Sequence, residues 1–121
     1  MIGIGVDAVE IARFRRSLER TPSMRARIFT AAELEYVSSK ADPVPSLAVR
    51  FAAREAVMKA LGVGLGAFGF HEAWVTRAES GAPSLCIVGK AAQLATASGV
   101  TRWHLSLTHS DSLAIAYVVA E

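Results

Sequence analysis

The chain has 121 residues, of which 52% are hydrophobic and 20% charged, with a formal net charge of +2, which is the size of one domain spanning residues 1–121 and too small for two independent cores. Its longest run without a charged side chain, Ala60 to His71, is twelve residues, well short of the roughly twenty that a helix needs to cross a bilayer, so no membrane partner is expected. Cys86 is the only cysteine, which excludes an internal disulfide; with no basic leader ahead of Asp7, the expected location is a reducing cytoplasm.

In chain order, "MIGIGVDAV" reads as a buried strand ending near Asp7, followed by a helix from about Val9 to Arg20 that stops at Thr21-Pro22-Ser23. This helix opens a basic span in which Arg13, Arg15, Arg16, Arg20, Arg25 and Arg27 face Glu19 as the only acid. On a nearly neutral protein, such a patch attracts an anionic partner. Thr30 and Glu33 have capping-box spacing and open a short helix toward Ser39.

Pro43 and Pro45 make "KADPVPS" a loop, after which Ser46 can cap a long helix and Gly62 can end it. Downstream, "HEAWVTRA" and "SLCIVG" form a hairpin around "ESGAP", "KAAQLATAS" is a helix ended by Gly99, and "RWHLSLTHS" and "LAIAYVVA" make a second hairpin turning at Ser110-Asp111-Ser112. This order predicts an α+β fold.

The long helix carries the sharpest question. At about 100° per residue, Ala48, Ala52, Glu55 and Lys59 share a stripe, and the rest of the helix is apolar nearly all round, as for a buried element. Glu55 and Lys59 could be a surface i,i+4 pair worth roughly 0.2–0.5 kcal/mol. Alternatively, charge in so apolar a helix is retained for use. Asp7 could cap the following helix, or join Glu55 as a second hard carboxylate for Mg²⁺, an ion that shares its site with water and substrate phosphates; Lys59 would then meet the phosphates. Gly62, Gly64, Gly66 and Gly69 match no nucleotide fingerprint. They either end the helix or let backbone approach a bulky cofactor. His109, at a strand end, either contacts phosphate or is a hydrogen-bonded structural histidine. His71 has no functional reading.

Taken together, "GIGVDAVEI", "RFAAREAVMKALGVGLG" and "WHLSLTH" resemble the holo-acyl-carrier-protein synthases, the short 4′-phosphopantetheinyl transferases, over the whole chain. The resemblance implies an antiparallel sheet packed against a long central helix, in a homotrimer with active sites at subunit interfaces, which would also use the surplus apolar surface. It implies transfer of 4′-phosphopantetheine from coenzyme A to a serine of apo-acyl carrier protein for fatty acid biosynthesis, with release of adenosine 3′,5′-bisphosphate. Mg²⁺ would lie on Asp7 and Glu55, and Lys59 would face the pyrophosphate and leaving group. Coenzyme A would meet Arg50, Lys59, Gly62, Gly64, Gly66 and His109, while Arg13, followed by Arg16 and Arg20 on the same helix face, would dock the acidic carrier. Two positions depart from the family pattern: its usual lysine before the glutamate is Arg54, and the loop before the long helix offers only Lys40 for the coenzyme's 3′-phosphate.

Two rivals make different predictions. A Mg²⁺-dependent hydrolase of coenzyme A or a nucleotide would use water in place of serine and release free phosphopantetheine. An RNA-binding module would need exposed aromatics among its arginines; only Phe14 and Phe29 are there, both at positions suited to core packing. Neither nucleic acid nor membrane is therefore expected as a partner.

Overall fold

The computed structural model describes all 121 residues. Strand β1 (Gly3–Glu10) leads into α1 (Ile11–Arg20), and two short helices, α2 (Met24–Ile28) and α3 (Ala31–Val37), precede the 18-residue α4 (Val44–Leu61). A 3₁₀ turn at Phe70–Glu72, the hairpin β2 (Ala73–Arg77) and β3 (Pro83–Ile87), helix α5 (Gly89–Ala97), and the hairpin β4 (Trp103–His109) and β5 (Leu113–Ala120) complete the chain. The fold is α+β, with an antiparallel three-stranded sheet in the order β1-β5-β4 and a separate β2-β3 pair.

Helix α4 is the centre of the molecule, packed chiefly on β1 and β5. Small residues make this approach possible. A Cβ added at Gly3 would lie 1.9 Å from the carbonyl oxygen of Ala60, and one at Gly5 would lie 1.9 Å from that of Ala56, so only glycine lets the strand lie this close to the helix. Ala52, Ala56, Ala116 and Val118 fill the seam and are fully buried. A second apolar cluster joins Ile11, Phe14 and Leu18 of α1 to Phe29, Leu47 and Val49, which seats α1 across the start of α4.

Several local boundaries differ from expectation. The first strand runs three residues beyond Asp7, because Asp7 through Glu10 stay paired with Ala116 through Leu113 of β5; Asp7 therefore caps no helix. Helix α4 begins at Val44 with Pro43 at its N-cap, and Ser46 lies inside the first turn, since proline's fixed φ suits a helix start. The capping box at Thr30 and Glu33 is present, and Gly62 closes α4 with a φ of +71°. The Met24–Ile28 helix has no counterpart in the sequence reading, being too short to show a period.

The sheet presents its other side outward. In register, Ile4, Val119 and His104 form one row and Val6, Tyr117 and Ser106 the next. Ile4, Val6 and Tyr117 are between 43% and 48% exposed, an apolar strip on the face opposite α4.

Candidate active site

Alternation along β1 turns Gly3, Gly5, Asp7 and Val9 toward α4. The glycines bring the strand close to the helix, and Asp7 stands next in that row. Glu55 and Lys59 lie one turn apart on α4. Lys59 does not pair with Glu55: its Nζ donates to Asp7 Oδ1 at 3.0 Å and to the carbonyl oxygen of Val6 at 3.0 Å. Of the two readings of Glu55 and Lys59, the i,i+4 surface pair is therefore not formed, and a bridge from helix to strand stands in its place.

The Glu55 carboxyl is held above the usual carboxylate range, first by burial and then by the negative charge of Asp7, with Lys59 working in the opposite direction. The Asp7 carboxylate is therefore close enough to oppose the ionisation of Glu55, with one ammonium beside them. A small hard cation relieves that repulsion. No third His, Cys, Asp or Glu completes a protein-only cage, so the donor set suits Mg²⁺, which keeps several waters and shares phosphate oxygens, better than a fully protein-ligated metal.

The glycine loop after α4 lies open. The backbone closes α4 through Gly62 N–H to the carbonyl of Lys59 at 3.1 Å and Val63 N–H to that of Met58 at 2.9 Å. Gly62 and Gly66 both have positive φ, and no atom lies within 4 Å of a Cβ built at Gly62, Gly64 or Gly66. At Gly64 neither backbone nor packing within the chain requires glycine; open space for an external group remains.

Arg50 lies elsewhere. Five residues from Glu55, it is turned about 140° around the helix and is 2% exposed. Its guanidinium lies 4.7 Å from the centre of the Tyr36 ring, with Arg77 at 5.6 Å and the Lys40 ammonium at 5.5 Å from the same ring. Nη1 donates to the carbonyl of Ser46 at 3.1 Å, while Nε is buried without a partner. Burial, and next the charge of Arg77, lower its pKa below the usual guanidinium value. Tyr36 and Arg77 were not singled out in the sequence; Arg77 comes from β2, and only the tertiary fold brings it to α3 and α4.

His109 ends β4, exposed, on the same side of the sheet as Asp7. It stands two strands from β1, about 10 Å at a strand spacing of about 4.8 Å. A single chain therefore assembles Asp7, Glu55 and Lys59 but leaves Arg50 and His109 apart from them.

Arg13, Arg16 and Arg20 are exposed on α1, whose buried face is Ile11, Phe14 and Leu18. Arg13 borders a cavity of about 290 Å³ floored by Val9, Phe14, Met24 and Phe51. Arg15, by contrast, is engaged: its guanidinium forms a bidentate pair with Asp42 at 3.0 and 2.7 Å. Phe14 and Phe29 are buried, which removes both from any stacking role.

Residues 3–118 match the model of the 4′-phosphopantetheinyl transferase superfamily. A holo-(acyl-carrier-protein) synthase from Clavibacter michiganensis subsp. michiganensis is 50% identical over 119 residues, covering 98% of this chain and 94% of the relative. Among solved structures, holo-(acyl-carrier-protein) synthase from Neisseria meningitidis superposes with a TM-score of 0.90 at 32% identity, covering 100% of this chain and 98% of the other. A holo-(acyl-carrier-protein) synthase from Bacillus anthracis, in complex with CoA (3′,5′-ADP), gives 0.82 at 30% identity over 98% and 95% of the two chains.

Proposed function

The chain belongs to the 4′-phosphopantetheinyl transferase superfamily, and from that premise we propose that it is a holo-(acyl-carrier-protein) synthase working as one domain over residues 1–121. It transfers 4′-phosphopantetheine from coenzyme A to a serine of apo-acyl carrier protein, for fatty acid biosynthesis, and releases adenosine 3′,5′-bisphosphate. The observation that carries this reading at the site is the meeting of Asp7, Glu55 and Lys59 where β1 crosses α4.

Transfer requires a serine oxygen to attack the β-phosphorus of a pyrophosphate, so positioning and charge neutralisation dominate the barrier. Asp7 and Glu55 would hold Mg²⁺, which would supply positive charge to the pyrophosphate. The serine proton would pass to a water held by Glu55. Lys59 neutralises or protonates the departing phosphate. Arg50, with Arg77 and Lys40 around Tyr36, supplies the positive charge for the ribose 3′-phosphate that the loop before α4 lacks, together with His109.

The separation of His109 from Asp7 supports a site completed between copies, with Asp7, Glu55 and Lys59 from one chain and Arg50 and His109 from its neighbour. The apolar strip at Ile4, Val6 and Tyr117 supports the homotrimer as the assembly that covers it. The exposed Arg13, Arg16 and Arg20, beside the apolar cavity of Phe14, Met24 and Phe51, suit an acidic carrier presenting an apolar side chain among its carboxylates. No helix is long and apolar enough to cross a membrane, and this, with the single cysteine, supports the cytoplasm as its place of work.

One assay tests the reading. The protein is incubated with apo-carrier, coenzyme A and Mg²⁺, and the carrier is weighed by mass spectrometry. The expected result is a phosphopantetheine adduct on the carrier. Free phosphopantetheine without an adduct would identify a hydrolase instead.

A further inference from the structure

The bridge from Lys59 to β1 has a consequence for how the site is loaded, which rests on Asp7 and Glu55 being the metal ligands. The Lys59 ammonium has a choice of carboxylates. Glu55 is one turn away on its own helix, yet Nζ crosses to Asp7 Oδ1 and the Val6 carbonyl, both at 3.0 Å. The Lys59 side chain is 53% exposed and that of Asp7 is 17% exposed, so a mobile, solvated cation reaches onto a largely covered carboxylate.

That ammonium and a metal compete for one oxygen. A Mg²⁺ at about 2.1 Å from Oδ1, with Nζ still 3.0 Å from the same atom, would leave the two cations no more than about 5 Å apart. Of the two, only Lys59 has somewhere to go: its side chain is flexible and half in solvent, whereas a hard cation needs the carboxylate oxygens. We infer that Lys59 is a placeholder cation, which holds Asp7 in position while the site is metal-free and is displaced when the metal takes Asp7.

Charge counting gives the displacement a purpose. Asp7, Glu55 and Lys59 sum to −1, which repels a pyrophosphate. A divalent cation raises the sum to +1 and frees the one local ammonium to turn toward the arriving phosphates. Metal entry therefore arms Lys59, and coenzyme A meets a competent lysine only after the metal is in place. Linkage makes the coupling reciprocal: the Lys59–Asp7 bond weakens metal binding to the same extent that metal weakens the bond.

The test reads Lys59 itself. The chain has only three lysines, Lys40, Lys59 and Lys90, so amine acylation followed by peptide mass spectrometry resolves each one. On the full-length protein, stripped with EDTA and then titrated with Mn²⁺ followed by electron paramagnetic resonance, Lys59 acylation should rise severalfold as Mn²⁺ binds while Lys40 and Lys90 stay constant. In Asp7→Asn, Lys59 should already react fast without metal and not respond to it. Lys59→Met should bind Mn²⁺ roughly two- to fivefold more tightly, the scale of one exposed ion pair, and Lys90→Met should bind it as the wild type does. Bound Mn²⁺ with unchanged or slower Lys59 acylation, or unaltered affinity in Lys59→Met, would overturn the hand-over alone. No detectable Mn²⁺ binding would overturn the metal site and the hand-over with it.

Discussion

Arg54 and Glu33, twenty-one residues apart in sequence, close a bidentate ion pair inside the core, with Nη1 2.9 Å from Oε2 and both side chains essentially inaccessible to solvent. Arg54 Nε also donates to the carbonyl of Phe70 at 2.7 Å, and Glu33 accepts from the backbone N–H groups of Thr30 at 2.9 Å and Val75 at 3.3 Å. One pair thus ties α3, α4, the 3₁₀ turn and β2 together, one residue away from Glu55.

Removing one partner of this pair strands the other as a buried charge, which typically costs about 3–5 kcal/mol. Arg54→Met should lower the unfolding free energy by about that amount in urea titrations. Arg54→Lys keeps the charge but loses the fork that makes two parallel bonds, and should fall between Arg54→Met and the wild type. Equal stability of all three would show that the pair contributes no structure.

Asp7→Asn and Glu55→Gln should each remove most transfer activity at low Mg²⁺, with unchanged circular dichroism, because only the charge on an oxygen is lost. Excess Mg²⁺ should rescue part of it. Full activity of either variant in limiting metal would take that residue out of the site.

Glu55 also sets a pH dependence. Its native pKa is raised, so the native state favours the protonated form; relative to the unfolded chain, the group stabilises at low pH and penalises the fold as pH rises through the native value. In metal-free protein, Glu55→Gln should therefore raise the melting temperature at neutral pH. The gain should shrink as pH falls through the carboxylate range, and Mg²⁺ should stabilise the wild type but not the variant. A melting temperature that Glu55→Gln leaves unchanged or lower at neutral pH would contradict the penalty that burial, and next the charge of Asp7, place on the ionised Glu55.

His109→Ala should raise KM for coenzyme A while leaving KM for dephospho-coenzyme A, which lacks the 3′-phosphate, unchanged. His109 is exposed, so the fold should tolerate the change. An equal effect on both substrates would place His109 away from the 3′-phosphate.

Arg13→Glu should raise KM for the carrier sharply and leave KM for coenzyme A nearly untouched. Wild-type transfer should slow as salt is added, since the screening length falls from about 10 Å at 0.1 M to about 3 Å at 1 M. Carrier affinity and salt response like those of the wild type would give the basic face of α1 another partner.

Much of this was legible in the chain itself, because it lies in short-range pattern. The capping box at Thr30 and Glu33, the glycine closing α4 and both hairpins depend on residues a few positions apart, and the buried character of α4 shows in its apolar period. The three motif blocks named the family. What the sequence could not decide is which distant groups meet. Lys59 and Glu55 have the spacing of a helical pair, yet Lys59 bonds to Asp7, because glycines at positions 3 and 5 let β1 lie against α4 and bring that carboxylate within reach. In the sequence Glu33 reads only as a capping-box residue and Arg54 only as the basic residue before Glu55, and they become partners when α3 and β2 fold over α4. Arg50 acquires Tyr36 and Arg77 in the same way. Each is a contact between elements separated by a chain reversal, about which local propensity carries no information; for Arg54 and Glu33, burial, which makes an unpaired charge costly, selects the partner only once the core has closed.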